Sequence, residues 1–236
     1  MSAAILQFLP DQLDVNGDAQ NALVLAQRAT WSGLDAEVVP VRPGDPVPGW
    51  PAAVVLGSSV DGELPNIRAA LEPYVSALFD WVDAGVPVLA VGTGLELLTD
   101  GIDALGGIAG FGLVHGRATP LAARATTDLV VDAAEGRLIG FENHARGLRD
   151  IQDPLGPVIT GNGNGDGAEG VRVRGLIGTH LHGPVLAKNP VLADTMLRSA
   201  FGDAYRADDE RIRFVDETAR AARQRIAGRL GIALVE

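Results

Sequence analysis

The first half of the chain alternates short apolar runs with longer stretches in which apolar residues recur at helical spacing. Residues 5–9, 36–39, 52–56 and 87–91 are runs of strand length, and the last two are apolar without interruption. That is how strands buried on both faces of a sheet read. Between them, residues 18–31 repeat apolar positions at Ala22, Leu25, Ala26 and Ala29. Residues 67–82 do the same at Leu71, Tyr74, Val75, Leu78, Phe79 and Val82, which predicts a second amphipathic helix. Strand–helix alternation of this kind predicts an α/β fold with a mostly parallel, doubly wound sheet. Ligands of such sheets collect at the C-terminal strand ends, where the turns at Gly57 and Gly92 would lie.

The second half reads differently. Residues 129–132, 137–141, 158–160 and 171–181 are strand-like, and the Gly-Asn-rich run 161–167 separates two of them as a hairpin loop. That run lacks the spacing of a calcium loop. Asn189 before Pro190 predicts a helix start with Asn189 as its cap. Asp18 and Asn21 are expected to cap the first helix and to stabilise the loop before it. Residues 208–230 form a polar amphipathic pattern rich in Arg and Ala. They are expected to build a helical extension, 206–236, packed on or beside a main domain spanning 1–205. The arginines between 220 and 229 are expected to face solvent or a partner.

Composition narrows the function. Of 236 residues, 47% are hydrophobic and 5% aromatic, enough for a core built from Val, Leu, Ile and Ala. The net charge of -11 repels phosphate backbones and argues against nucleic-acid binding. No apolar run is long enough to predict a membrane span. Residues 1–9 lack a basic leader and run straight into a strand pattern, so the expected compartment is cytoplasmic. The absence of cysteine excludes disulfides, thiolate catalysis and Cys-based metal sites.

Residues 87–98 read as a buried strand, a sharp glycine turn and a helix start. This is the layout of a nucleophile elbow, which lifts one side chain to the top of a parallel sheet. At its tip, where Cys or Ser would stand, the chain has Gly92.

Four segments carry a resemblance: 9–21 (LPDQLDVNGDAQN), 88–94 (VLAVGTG), 140–144 (GFENH) and 178–190 (GTHLHGPVLAKNP). Their order and spacing resemble class I glutamine amidotransferases of the cobyric acid synthase (CobB/CobQ-like) type. Within these, the chain is most similar to the GatD-type glutaminase subunit of lipid II isoglutaminyl synthase. The resemblance implies a three-layer, flavodoxin-like α/β fold that uses no cofactor or metal. It implies a Cys that attacks the side-chain amide of glutamine and a His that serves as its base. The released ammonia would pass to a Mur-ligase-like partner, which amidates D-glutamate in the peptidoglycan stem. Carried onto this sequence, the nucleophile position is Gly92 and the base position His182. Gly57, Ser58, Thr93, Gly94, Asn143, His144 and Arg146 fall at substrate-binding positions.

The departures cluster around one place. Thr93, Leu95 and Glu96 replace the residues usual after the nucleophile, and the oxyanion loop reads Gly57-Ser58-Ser59. Pro184 stands where many class I relatives place a Glu to orient the His, so a complete triad is not expected. The expected function is therefore a catalytically impaired GatD-type subunit that binds a Mur-ligase-like partner. Two other readings stay open: an active glutaminase with rearranged chemistry, for which Thr93 is the substitute nucleophile, and a free-standing amino-acid-binding pseudoenzyme. His180 and His182 alternate on one predicted strand and should share a face, without a third metal ligand. Asn143, His144 and Arg146 either approach the glutamine site or form a turn after a strand ending at Phe141.

Overall fold

In the computed structural model, which describes residues 2–104 and 106–234, the chain begins with β1 (Ala3–Phe8), α1 (Gln20–Trp31), β2 (Ala36–Val41) and β3 (Ala53–Leu56). It continues with α2 (Leu64–Leu71), α3 (Val75–Asp83), β4 (Val88–Val91) and α4 (Thr93–Leu98). Six strands follow: β5 (Gly101–Ile102), β6 (Ile108–Ala109), β7 (Arg117–Ala133), β8 (Gly136–Arg149), β9 (Gly156–Thr160) and β10 (Ala168–Glu169). The last elements are β11 (Val171–Val173), β12 (Leu176–Thr179), α5 (Val185–Lys188), α6 (Pro190–Phe201) and α7 (Glu210–Leu230).

The first sheet has the order β11-β12-β4-β3-β1-β2 and is parallel except where β11 pairs with β12. Period-two alternation sends its side chains to opposite faces. Leu6, Phe8, Val54, Leu56, Val88 and Ala90 pack with Leu64, Ile67, Leu71 and Leu78 of α2 and α3. Ile5, Ala53, Val55, Leu89 and Val91 pack with α1 and α6 on the other face. The result is a three-layer α/β fold. The predicted single helix 67–82 is two helices, because Pro73 has no N–H to continue the ladder and a 3₁₀ turn at Glu72–Tyr74 intervenes. The predicted strand 171–181 is likewise divided, with Arg174 at φ 50° between β11 and β12.

A second sheet, β10-β9-β7-β5-β6 with β8 paired to β7, stands beside the first. Its centre is the β7–β8 antiparallel hairpin, far longer than the two short strands predicted at 129–132 and 137–141. Asn189 occupies the position before α6 but does not cap it. Its side chain instead bonds the backbone N–H and C=O of Ile139 (2.8 and 3.0 Å), tying α6 to β8.

Helix α7 packs with Ile212, Ala219 and Ala227 buried. Its arginines are not all solvated: Arg223 is buried and donates to the Arg137 carbonyl at 2.6 Å. Among the described residues, no helix is long and apolar enough to cross a membrane.

Candidate functional site

The elbow is built as the sequence implies. Gly92 takes φ 54° and ψ −121°, a conformation that glycine adopts freely and L side chains resist. Its N–H donates to the Thr179 carbonyl of β12 (2.9 Å), and its carbonyl accepts from the Glu96 N–H (3.0 Å). These two bonds fold the chain sharply from β4 into α4. A Cβ placed on Gly92 would lie 3.0 Å from His182 Cε1 and 3.6 Å from Nε2. The tip of the elbow, which carries no side chain, therefore faces the His182 imidazole.

His182 is oriented by a carboxylate. Its Nδ1 lies 2.9 and 3.2 Å from the two oxygens of Asp18, and both residues are buried. Donation from Nδ1–H to Asp18 leaves Nε2 as the acceptor on the side facing Gly92. Two expectations are thereby corrected. Asp18 is not a cap: α1 starts at Gln20 after Ala19, and no side chain caps it. The orienting carboxylate missing at Pro184 comes instead from Asp18, 164 positions away in sequence. Asn21 does stabilise the loops, donating to the Asp18 carbonyl (2.8 Å) and accepting from the Leu186 N–H (2.9 Å).

Around this pair lies a cavity of about 220 Å³. Gly92, Ser58, Thr93, Asn143, His144, Arg146 and His182 all line it. Gly57 and Gly94 do not: the Gly94 N–H donates to the Gly57 carbonyl (3.1 Å), a close approach that leaves Gly94 no room for a side chain, and a Cβ on Gly57 would run into the Leu13 carbonyl. The Ser58 hydroxyl sits against Asp18 Oδ2 and the Val15 carbonyl. The Thr93 hydroxyl accepts from the Ser59 N–H at 2.6 Å.

The outer wall is charged. Arg146 lies between Glu96 (2.8 Å) and Asp61 (2.7 and 3.0 Å). Burial opposes its charge, but the two carboxylates prevail and raise its pKa, while the bond from Arg146 holds Asp61 below the ordinary carboxylate range. Arg124 grips Asn143 through its side chain (2.9 Å) and carbonyl (3.1 Å). β8 runs through to Arg149, so Asn143, His144 and Arg146 belong to a strand that enters the site and not to a turn. Asp61 and Arg124 went unnoticed in the sequence. Asp61 lies close behind the loop Gly57-Ser58-Ser59, the one signal that could have drawn attention to it.

Behind the wall is a buried acid–imidazole cluster. Glu142 accepts from Asn162 (2.8 and 2.7 Å) and the Gly163 N–H (3.0 Å), so the glycine-rich loop 161–167 serves as its anion cradle. The ring nitrogens of His144 meet Glu142 (3.1 Å) and the Arg146 carbonyl (2.5 Å). Two acceptors favour the doubly protonated ring. His144 stacks on His180 with centroids 4.1 Å apart. His180 pairs with Glu169, which also accepts from Thr179 (2.7 Å). β12 ends at Thr179, so the alternation expected to place His180 and His182 together does not extend over them, and each pairs with its own carboxylate. Among the described residues, no cluster of His, Asp or Glu has the makings of a metal site.

Burial works against ionisation of Glu142 and His144, but their mutual hydrogen bond and their backbone partners dominate, lowering the first and raising the second. The raised His144 contributes stability that is full below its unfolded value of 6.5 and fades as pH rises through its higher folded value. Lowered Glu142 contributes above 4.5 and loses this as pH falls through its folded value. The stability gap between the parent chain and His144→Gln, read from urea midpoints, should be largest near pH 6 and shrink toward pH 9. A gap that stays constant over that range would contradict a charged His144.

A parallel sheet whose glycine elbow points at a buried His–Asp pair has the layout of a class I amidotransferase-like protein. The chain belongs to the CobB/CobQ-like glutamine amidotransferase domain family, which matches residues 30–190. It is similar to the lipid II isoglutaminyl synthase (glutamine-hydrolyzing) subunit GatD of Staphylococcus aureus, at 29% identity over 208 residues and 83% of each chain. The GatD subunit of Streptococcus pneumoniae matches more locally, 41% over 73 residues, covering 29% of this chain and 28% of that one. Among solved structures, a glutamine amidotransferase shares the fold with a TM-score of 0.57 at 15% identity, covering 83% of this chain and 98% of the other. A glutamine amidotransferase from Thermotoga maritima does so at 0.55 and 13%, covering 98% and 95%.

Proposed function

We propose that this chain is a non-catalytic GatD-like subunit, working in the cytoplasm beside a Mur-ligase-like enzyme that amidates D-glutamate in peptidoglycan precursors. The observation that carries this reading is Gly92 at the tip of a fully formed elbow. Amide transfer by this route needs a side-chain atom that can be deprotonated and acylated, and glycine has none. Thr93 is a poor substitute, since its hydroxyl meets the Ser59 N–H and makes no hydrogen bond to His182, whose ring is bonded to Asp18. The Asp18–His182 pair then lacks a nucleophile to activate. The relatives' designation as a subunit supports a protein partner.

The test is purification of the tagged chain from its own cells, followed by mass spectrometry and a glutaminase assay of what is recovered. A stoichiometric Mur-ligase-like protein, with glutamate release at background and amidation sustained by ammonium, is the expected result. A chain recovered alone overturns the subunit role. Glutamate release that disappears in His182→Ala overturns the lack of catalysis. The retained cavity of about 220 Å³, with Arg124 and His182 on its wall, favours one second reading, a small amino-acid binder. Saturable glutamine binding by the isolated chain would distinguish it.

A further inference from the structure

We infer that the vacant nucleophile position has been closed from two sides, by Ser58 and by Thr93, so that a thiol restored at position 92 alone would not restore the chemistry. This rests on the reading of the chain as non-catalytic and adds to it a structural cause beyond the missing side chain.

The first closure is steric. A Cβ at position 92 would lie 2.8 Å from the Ser58 Cβ. The obstructing atom is joined directly to the backbone, so no rotation of the side chain removes it. The backbone there is held as well, since the Ser58 carbonyl accepts from the Val15 N–H at 3.0 Å. The Ser58 hydroxyl also shares Asp18 Oδ2 with His182 Nδ1, so the carboxylate that would support a charged imidazole is partly engaged elsewhere.

The second closure is electrostatic. An elbow of this kind stabilises the developing oxyanion with the N–H of the residue after the nucleophile and an N–H from the loop after the third strand. Here those are the Thr93 N–H and the loop Gly57-Ser58-Ser59. The Ser59 N–H is already consumed by Thr93 Oγ1 at 2.6 Å. Losing one such donor costs about 10²–10³ in rate. Ser58 and Thr93 thus turn the open parts of an acyl-transfer site into a closed set of internal hydrogen bonds.

The experiment compares Gly92→Cys with the triple variant Gly92→Cys/Ser58→Gly/Thr93→Gly, using L-glutamine and iodoacetamide as probes. In an active variant the Cys thiolate adds to the side-chain amide carbon, the C–N bond breaks, and ammonia leaves with a proton from His182. Water then hydrolyses the thioester to glutamate and regenerates the thiol. The natural chain has no cysteine, so alkylation reports position 92 alone.

Gly92→Cys should stay at background with a slowly alkylated thiol. The triple variant should release glutamate at least about 10²-fold faster, the gain of one freed donor, and its thiol should label faster in a manner that depends on His182. If Gly92→Cys alone matches the triple variant, the closure is refuted while the reading of a missing nucleophile stands. If the triple variant melts normally, alkylates readily and stays silent, the closure is again refuted. Hydrolysis by the unaltered chain would refute the underlying reading instead. If the triple variant does not fold, Gly92→Cys paired with each glycine change separately gives the same comparison, and a partial gain in each is expected. No gain from either pair would overturn the proposal.

Discussion

Asp194→Ala should lower the melting temperature by about 10 °C. Arg28 is 3% exposed and donates to Asp194 through Nε (3.1 Å) and Nη2 (2.6 Å), and to Asp216 through Nη1 (2.6 Å). The Tyr205 hydroxyl donates to the same Asp194 oxygen at 2.6 Å. Burial works against charge on Arg28, yet the bond to Asp216 and the field of Asp194 hold it firmly protonated. Removing Asp194 leaves a buried guanidinium with only the part-exposed Asp216, and strands the Tyr205 hydroxyl. Breaking a buried ion pair by deleting one partner costs about 3–5 kcal/mol. For a chain of this size each kcal/mol is worth about 2–4 °C. The control is Arg28→Met/Asp194→Leu, which removes both charges and should recover most of the loss. A double variant as unstable as the single one would trace the damage to packing and not to charge.

Glu96→Ala should cost about 3 kcal/mol at neutral pH, measured by urea unfolding, for the same reason. Arg146 and Glu96 are both nearly inaccessible to water, whereas Asp61, the other partner of Arg146, is 45% exposed. A buried cation that keeps only a surface anion is poorly compensated. Glu96→Gln retains an acceptor and should fall between the parent chain and Glu96→Ala. Asp61→Ala should cost much less, since solvent already screens that carboxylate. Equal losses at positions 61 and 96 would contradict the importance of burial here.

The sheet that carries the site was legible because strands covered on both faces have no polar positions to obscure them. Residues 53–56 and 88–91 announce themselves. The β7–β8 hairpin was not legible over its full length, because the outer part of β7, residues 117–128, mixes Ala, Pro and Leu with Arg, Thr and Asp and buries only Ala118 and Ala125. Its conformation comes from backbone pairing with β8, a cause that leaves no mark in hydropathy. Pro73 was visible and marks the break between α2 and α3, but the apolar spacing continues across it.

In the site, Gly92 and His182 could be placed because each lies in a segment with recognisable order. Asp18 lay in such a segment too, yet its role depends on a contact across 164 positions. Local rules for Asp before a helix point to a cap, and tertiary geometry overrides them. The same applies to Asn189, a good cap by type whose side chain satisfies a strand backbone instead. Glu142 and Glu169 lie just outside the strands predicted at 137–141 and 171–181, so their place in a buried charge cluster left no mark in the pattern.

The backbone at Gly92 has a consequence for the history of the chain. A side-chain-bearing residue held at φ 54° and ψ −121° stores strain, of the order of 1–3 kcal/mol, that the rest of the fold must carry. Glycine carries almost none of it. On the proposed reading, exchange of a nucleophile for glycine relaxes the protein at the same step that silences it, and return is uphill in conformational energy before any neighbour is considered. Such a change acts as a ratchet: drift away from catalysis gains stability, and only selection for activity could drive it back.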